Sequence, residues 1–215
     1  MSGRRIVTEW FRVPAVWPLL AARLAGVGGP VTVWSGACGT GEEAYSAAIL
    51  LEQHGIEGEV FASDVDAPNL ATAEAGVYER AAIEREVAEG RLTRRQVARF
   101  FQPSGRHHLR VRRAVRERVE FGTLRLGEDA APECHAALLR NVWRHLTPEA
   151  QRAGVDDVWD ALDRRGVLLL GGGDLMRQGD GGRLVPTEPC GLRVRFRPTV
   201  AHSLVWRPWL SYRRT

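Results

Sequence analysis

The stretch Val31-Thr-Val-Trp-Ser-Gly-Ala-Cys-Gly-Thr-Gly-Glu-Glu-Ala-Tyr-Ser46 runs from an apolar β-segment through a glycine turn into a helix opened by two carboxylates. Gly36, Gly39 and Gly41 let the backbone turn tightly and come close to a ligand, because a residue without Cβ takes positive φ at no steric cost. A second β-run, Val60-Phe-Ala-Ser-Asp-Val-Asp66, brings Asp64 and Asp66 about 20 residues later, where a doubly wound sheet offers carboxylates to ribose hydroxyls. The pattern predicts an α/β chain with a nucleoside-binding strand-turn-helix, the first half of a Rossmann-like site.

The glycine spacing is not G-x-G-x-x-G, and the turn has no Lys-Ser/Thr pair of the P-loop kind, which disfavours a pyrophosphate ligand. Glu42 and Glu43 point the same way, since carboxylates at a helix N-terminus occupy the favourable end of the dipole and repel phosphate there. A cationic nucleoside with a free cis-diol, such as S-adenosylmethionine, fits instead. The plainer reading, that the two glutamates only satisfy a helix start, does not account for the glycine turn or for Asp64.

The 215 residues, 44% of them hydrophobic, are enough for one full core, and a single domain over 1–215 is expected. The formal charge is +4, and every one of the basic residues is arginine, which speaks of coding bias more than of a polyanionic partner. Cys38, Cys134 and Cys190 are odd in number and lack C-x-x-C spacing, so neither a disulfide framework nor a metal site is indicated, and a reducing cytoplasm is the default location. No run of 18 apolar residues predicts a membrane span. The apolar stretch Val13 to Ala25 after Arg4-Arg5 is broken by Pro14, Pro18 and Arg23, which argues against an export signal.

Hydrophobic spacing predicts helices over Val16 to Ala25, Ala44 to His54 and from Asp66, with strands over Val31 to Trp34 and Val60 to Ser63. Beyond Tyr78 the composition turns charged: Ile83 to Phe101 reads as one helix. The alternating segments His108 to Arg112 and Arg113 to Phe121 read as strands of a small antiparallel insertion at about 79–121. The sheet resumes at Ala136 to Leu139, passes through a helix from Thr147 to Arg164 and continues at Val167 to Leu170. A hairpin pairing Arg183 to Val185 with Leu192 to Phe196 closes the pattern.

Taken together, Thr8-Glu-Trp-Phe-Arg12, Val33 to Ser46, Phe61-Ala-Ser-Asp-Val-Asp66, Ala75-Gly-Val-Tyr78, Phe100-Phe101, Val119-Glu-Phe121, Arg140-Asn-Val142 and Gly166 to Gly171 resemble, in order, the chemotaxis-receptor glutamate methyltransferases (CheR-type). The resemblance spans about residues 6–197 and implies a Rossmann-like methyltransferase using S-adenosylmethionine and releasing S-adenosylhomocysteine. It implies that Thr8 and Arg12 lie beside the cofactor, with Arg12 close to the transferable methyl. It further implies cofactor contacts from Gly36, Ala37, Gly41, Glu43, Asp64 and Val65, with Asp64 the ribose partner, and from Arg125, Leu126, Arg140 and Asn141. The antiparallel segment matches the subdomain that docks a receptor tail in some members.

The sequence departs from the family's pattern in four places. The helical domain that the family carries ahead of its Thr-x-x-Phe-Arg motif is expected to be lacking, since the motif falls at Thr8. Arg125 takes the place of an adenine-side asparagine, and His145 that of a tyrosine. Gly171-Gly-Gly-Asp174 replaces a more polar run. The acceptor is the less fixed half of the reading for that reason.

Methyl transfer from a sulfonium is an in-line displacement in which the protein aligns nucleophile, methyl and leaving sulfur. A carboxylate acceptor needs no general base, in keeping with the lack of a His-Asp or Lys base motif, and Arg12 would orient it by a paired hydrogen bond. If His145 lines the site it is the candidate base for a hydroxyl or amine, which would favour a small molecule; otherwise it simply packs. Transfer to a protein or peptide glutamate is the first expectation, a small-molecule O- or N-methyltransferase the second, and a cofactor-binding regulatory module without turnover the third. The arginine run Arg106 to Arg118, with Glu117 interleaved and no stacking aromatic, reads as a solvated face or an acidic-peptide surface before a nucleic-acid one; His107 and His108 read as solvated rather than metal-binding. Trp206, Trp209 and Tyr212, in a basic tail at about 200–215, would cap the site, form a homodimer contact or pack back on the domain.

Overall fold

The computed structural model describes residues 8–171, and the backbone of three short strands at 185–187, 192–194 and 211–213. The predicted hairpin beyond 194, most of the aromatic tail, Cys190 and the Gly-Gly-Asp run after Gly171 lie outside these residues.

The first helix, α1 (Val16–Ala25), buries Val16, Trp17, Leu20, Ala21 and Leu24 on one stripe. Strand β1 (Val31–Gly36) is apolar on both faces and almost wholly buried, as a central parallel strand must be. Helix α2 (Glu42–His54) starts from Gly41 at φ 95° and is stopped by Gly55 at φ 62°, whose N–H is bonded back to the Leu51 carbonyl. Strand β2 (Gly58–Ser63) runs parallel to β1, with Val31 opposite Gly58 and Gly36 opposite Ser63. Helix α3 (Ala67–Ala75) has the expected cap: the Asp66 carboxylate accepts the Asn69 N–H at 2.9 Å, and Pro68 occupies the first turn.

The next segment departs from the single helix predicted for Ile83 to Phe101. After β3 (Val77–Glu79), α4 (Arg80–Ala88) breaks around Gly90, which takes φ of 74°, and α5 (Arg94–Phe100) begins afresh from a Thr93–Gln96 capping box. Strands β4 (Phe101–Pro103) and β5 (His108–Val111) complete a three-stranded antiparallel sheet in the order β3-β5-β4.

The strand read over Arg113 to Phe121 needs correction. Arg113–Arg116 is a helical turn, α6, and only β6 (Val119–Gly122) is extended; it pairs parallel with β2, not within the small sheet. Val115 and Val119 are four residues apart, a spacing that a helical turn followed by a strand satisfies as well as alternation does. Arg118 fixes the junction, donating to the carbonyl of Gly58 at 3.0 Å and to Glu52 at 2.9 Å.

Strand β7 (Cys134–Leu139) returns the chain to the other side of β1. A 3-10 turn at Trp143–His145, helix α7 (Pro148–Ala161) and strand β8 (Leu162–Leu170) follow, the helix ending three residues before the predicted Arg164 and the strand beginning earlier than Val167. Strands β9 (Val185–Thr187) and β10 (Leu192–Val194) form the antiparallel hairpin, and β11 (Ser211–Arg213) lies against β8, so that part of the tail joins the sheet. The main sheet runs β10-β9-β11-β8-β7-β1-β2-β6, parallel from β8 to β6. Strand order reverses between β1 and β7, and a crevice opens at the carboxyl ends of strands at such a switch point.

Candidate active site

A cavity of about 510 Å³ lies at that switch point, within the range of cofactor pockets. Its floor comes from the turn after β1 with Ala37 and Cys38, the first turn of α2 with Glu43, and the turn after β2 with Asp64 and Val65. The segment after β7 supplies Arg140, Asn141 and Val142, and the N-terminal segment supplies Thr8, Glu9 and Arg12.

The Asp64 carboxylate is 7% exposed and holds the glycine turn from below: Oδ2 accepts the Gly39 N–H at 2.7 Å and Oδ1 the Asp66 N–H at 2.9 Å. Each carboxylate oxygen has a second lone pair, which leaves the group able to accept from a diol as well. Glu43 is gripped on both oxygens. Ser35 donates to Oε1 at 3.0 Å, and the Arg140 guanidinium, 2% exposed, stands 3.5 Å from Oε2. Arg140 also donates through Nη2 to the Arg12 carbonyl at 2.7 Å and lies over the Trp17 ring, tying the N-terminal segment to the end of β7.

That N-terminal segment has no strand pairing, and side chains hold it. Trp10 stacks on Tyr45 and meets Tyr78 and Phe101 edge-on, while Phe11 meets Trp17 edge-on. The Phe11 N–H is accepted by Ser46 Oγ at 2.9 Å, and the Trp17 indole donates to the Arg12 carbonyl at 3.1 Å. These contacts keep Phe11 and Val13 at φ of 41° and 53°, an uncommon conformation for non-glycine residues and a strained one for β-branched Val13. Ala37 and Asn141, both on the cavity wall, are likewise left-handed at 55° and 61°.

Burial, with the Asp64 and Glu43 charges beside it, drives the Cys38 thiol far up, which leaves it inert as a nucleophile. Burial also raises the Glu42 carboxyl, against hydrogen bonds from Thr40 and Thr8 that lower it. Thr8 therefore touches both the cavity and the start of α2.

Of the residues read from the sequence, Thr8, Arg12, Ala37, Glu43, Asp64, Val65, Arg140, Asn141 and His145 come together on this cavity. Gly36, Gly41, Arg125 and Leu126 are not in its lining. A Cβ on Gly36 would sit 2.4 Å from Leu139 Cδ2, and one on Gly41 would sit 2.9 Å from Ala73 Cβ, so each admits a close packing neighbour. Arg125 is exposed beside Glu128, and Leu126 packs near Gly154. His145 is exposed at the rim, its Nε2 accepting from Arg144 Nε at 3.4 Å. Glu9, Cys38, Val142 and Arg144 also line the cavity without having been singled out; each adjoins a residue that was. Among the described residues no group of three His, Cys, Asp or Glu could hold a metal ion, and no helix is long and apolar enough to cross a membrane.

The donor set suits a cationic nucleoside. The carboxylates of Glu9, Glu43 and Asp64 line the cavity, and Glu42 and Glu43 occupy the helix N-terminus that a pyrophosphate would need. Such a sheet, with acidic residues in the first turn of the helix after β1 and at the end of β2, defines the Rossmann-like class of S-adenosylmethionine-binding domains. The model of the CheR methyltransferase SAM-binding domain family matches residues 7–187, and the chain belongs to that family, with S-adenosylmethionine as its cofactor. It is 35% identical over 184 residues to a chemotaxis protein methyltransferase of Klebsiella aerogenes, covering 80% of this chain and 58% of that protein. It is 27% identical to chemotaxis protein methyltransferase 1 of Pseudomonas aeruginosa, covering 79% of this chain and 66% of that protein. An uncharacterized 104.1 kDa protein of Rhodobacter capsulatus is 30% identical over 186 residues, covering 80% of this chain and 19% of that protein. The chain thus spans less than two thirds of the length of each of these relatives.

Proposed function

We propose that this chain transfers a methyl group from S-adenosylmethionine to a carboxylate, the side chain of a glutamate in a protein or peptide. The observation that carries the reading is the placement of the Glu43 and Asp64 carboxylates and the Arg12 guanidinium on one cavity. When bound, the cofactor supplies a methyl carbon on a positively charged sulfur. Asp64 would hold the ribose hydroxyls and Glu43 the cationic part of the donor, while Arg12 would orient the acceptor's oxygens. An ionised carboxylate attacks without giving up a proton, so no residue has to act as a base. The chemotaxis methyltransferases among the relatives support a protein acceptor.

Purified protein incubated with methyl-labelled cofactor and host lysate tests this. Label on protein that is released as methanol at mild alkaline pH is the expected result. A stable methyl on a small hydroxyl or amine compound would favour the second reading, with His145 at the rim as base. Tight cofactor binding with no product from any lysate would favour a regulatory module instead.

A further inference from the structure

Glu9 stands between two guanidinium groups at the cavity edge. Its Oε2 lies 2.6 Å from Arg12 Nε, and its Oε1 lies 3.9 Å from Arg91 Nη1. Arg91 comes from the turn between α4 and α5. Its Nε and Nη2 are engaged by Glu86 at 2.5 and 3.1 Å, with Nη2 also meeting Glu89, so that Nη1 is the arm turned toward Glu9. Glu9 and Arg12 both line the cavity. A carboxylate seeking Arg12 therefore meets a guanidinium whose Nε already donates to a carboxylate of this chain, and the side chain that holds it is chemically the same as the acceptor proposed above.

We propose that Glu9 is a specificity-determining gate that occupies Arg12 until an acceptor carboxylate displaces it, and that Arg91 receives Glu9 when it leaves. The inference rests on the reading of Arg12 as the residue that orients the acceptor. The exchange keeps every carboxylate beside a guanidinium: Glu9 passes from Arg12 to Nη1 of Arg91, already within 4 Å and shared with Glu86 and Glu89, and the incoming carboxylate takes its place on Arg12. A neutral amide or hydroxyl brings no charge to offset the loss of the Glu9–Arg12 pair, so the gate discriminates for anionic acceptors by difference rather than by fit.

The test uses acetate as the carboxylate probe. The full chain, 15N-labelled and saturated with S-adenosylhomocysteine, is titrated with acetate at ionic strength held constant with chloride, and the Arg12 Nε–H signal is followed, assigned by its loss in Arg12→Lys. Acetate should reach Arg12 at least tenfold more tightly in Glu9→Gln and Glu9→Ala than in the unaltered chain. In Arg91→Gln it should bind severalfold more weakly, because Glu9 then has nowhere to go. Adding Arg91→Gln to Glu9→Gln should change nothing further. Equal affinity in the unaltered chain and both Glu9 variants, with product binding intact by calorimetry, overturns the gate while leaving Arg12 as an orienting residue. If acetate fails to shift Arg12 even in the Glu9 variants, both the gate and the assignment of Arg12 are wrong.

Discussion

Asp64 at the end of β2 reaches across to the turn after β1 and accepts the Gly39 N–H at 2.7 Å, so one carboxylate both shapes the glycine turn and faces the cavity. Replacing Asp64 with Ala leaves the Gly39 and Asp66 amides without this acceptor, at a cost of about 1–3 kcal/mol of stability for a buried unsatisfied group. It also removes the proposed ribose partner. Calorimetry with S-adenosylhomocysteine should show affinity lowered by about tenfold to a hundredfold, the size expected when a charged hydrogen-bonding partner worth about 1.5–3 kcal/mol is deleted. Unchanged affinity in a folded variant would remove Asp64 from the site.

Glu42 should make stability depend on pH in a definite direction. Burial holds its carboxyl above the ordinary value of 4.5, so its contribution favours folding fully below that pH and is lost as pH rises through the folded-state value. Glu42→Gln keeps an oxygen to accept from Thr40, which donates to Glu42 at 2.7 Å, and cannot ionise. The variant should melt higher than the unaltered protein at pH 7, with the gap closing as pH falls toward 4.5. Melting curves whose separation is constant with pH would contradict this.

Trp34 and Ser63 form a buried pair between neighbouring strands, the indole N–H donating to the hydroxyl at 3.0 Å. Ser63→Ala strands that donor in a site from which water is excluded, so urea unfolding should show a loss of about 1–3 kcal/mol. The two residues lie beneath the cavity and outside its lining, and cofactor affinity of the folded variant should be nearly unchanged.

Gly58 opens β2 against Val31, where a Cβ would fall 2.1 Å from the Val31 carbonyl oxygen and the backbone takes φ of 153°. The clash is with backbone, which cannot rotate away. Gly58→Ala should lower stability by about 3 kcal/mol, the combined range of overpacking and backbone strain, read from the denaturant midpoint.

Much of this architecture was legible because local chemistry and the global fold agree. The apolar run Val31 to Trp34, the glycine stop at Gly55 and the Asp66 cap with Pro68 each specify their element without help from distant residues. Val119 to Gly122 was not legible in the same way, since alternation states that a segment is half-buried and says nothing of which sheet receives it; its pairing with β2 is a long-range choice. The helix predicted to run through Gly90 failed for a related reason, as the Thr93–Gln96 capping box is short and was outweighed by the charged helical pattern around it. In the site, the carboxylates were visible because their chain positions, Glu43 in the first turn of α2 and Asp64 at the end of β2, fix their place. Gly36 and Gly41 show the limit of such reasoning: a glycine announces a close neighbour and does not say whether that neighbour is a ligand or, as with Leu139 and Ala73, a side chain of the same protein.

The strap that carries Arg12 is fastened to the domain by rings and side-chain oxygens, and its backbone at Phe11 and Val13 is wound against its preference. Fastenings of that kind release singly, without the sheet beneath having to part. Amide protons along 8–13 should therefore exchange with deuterium well ahead of those in β1, and the donor, once seated under the strap, should slow them while leaving the strand's own rate alone.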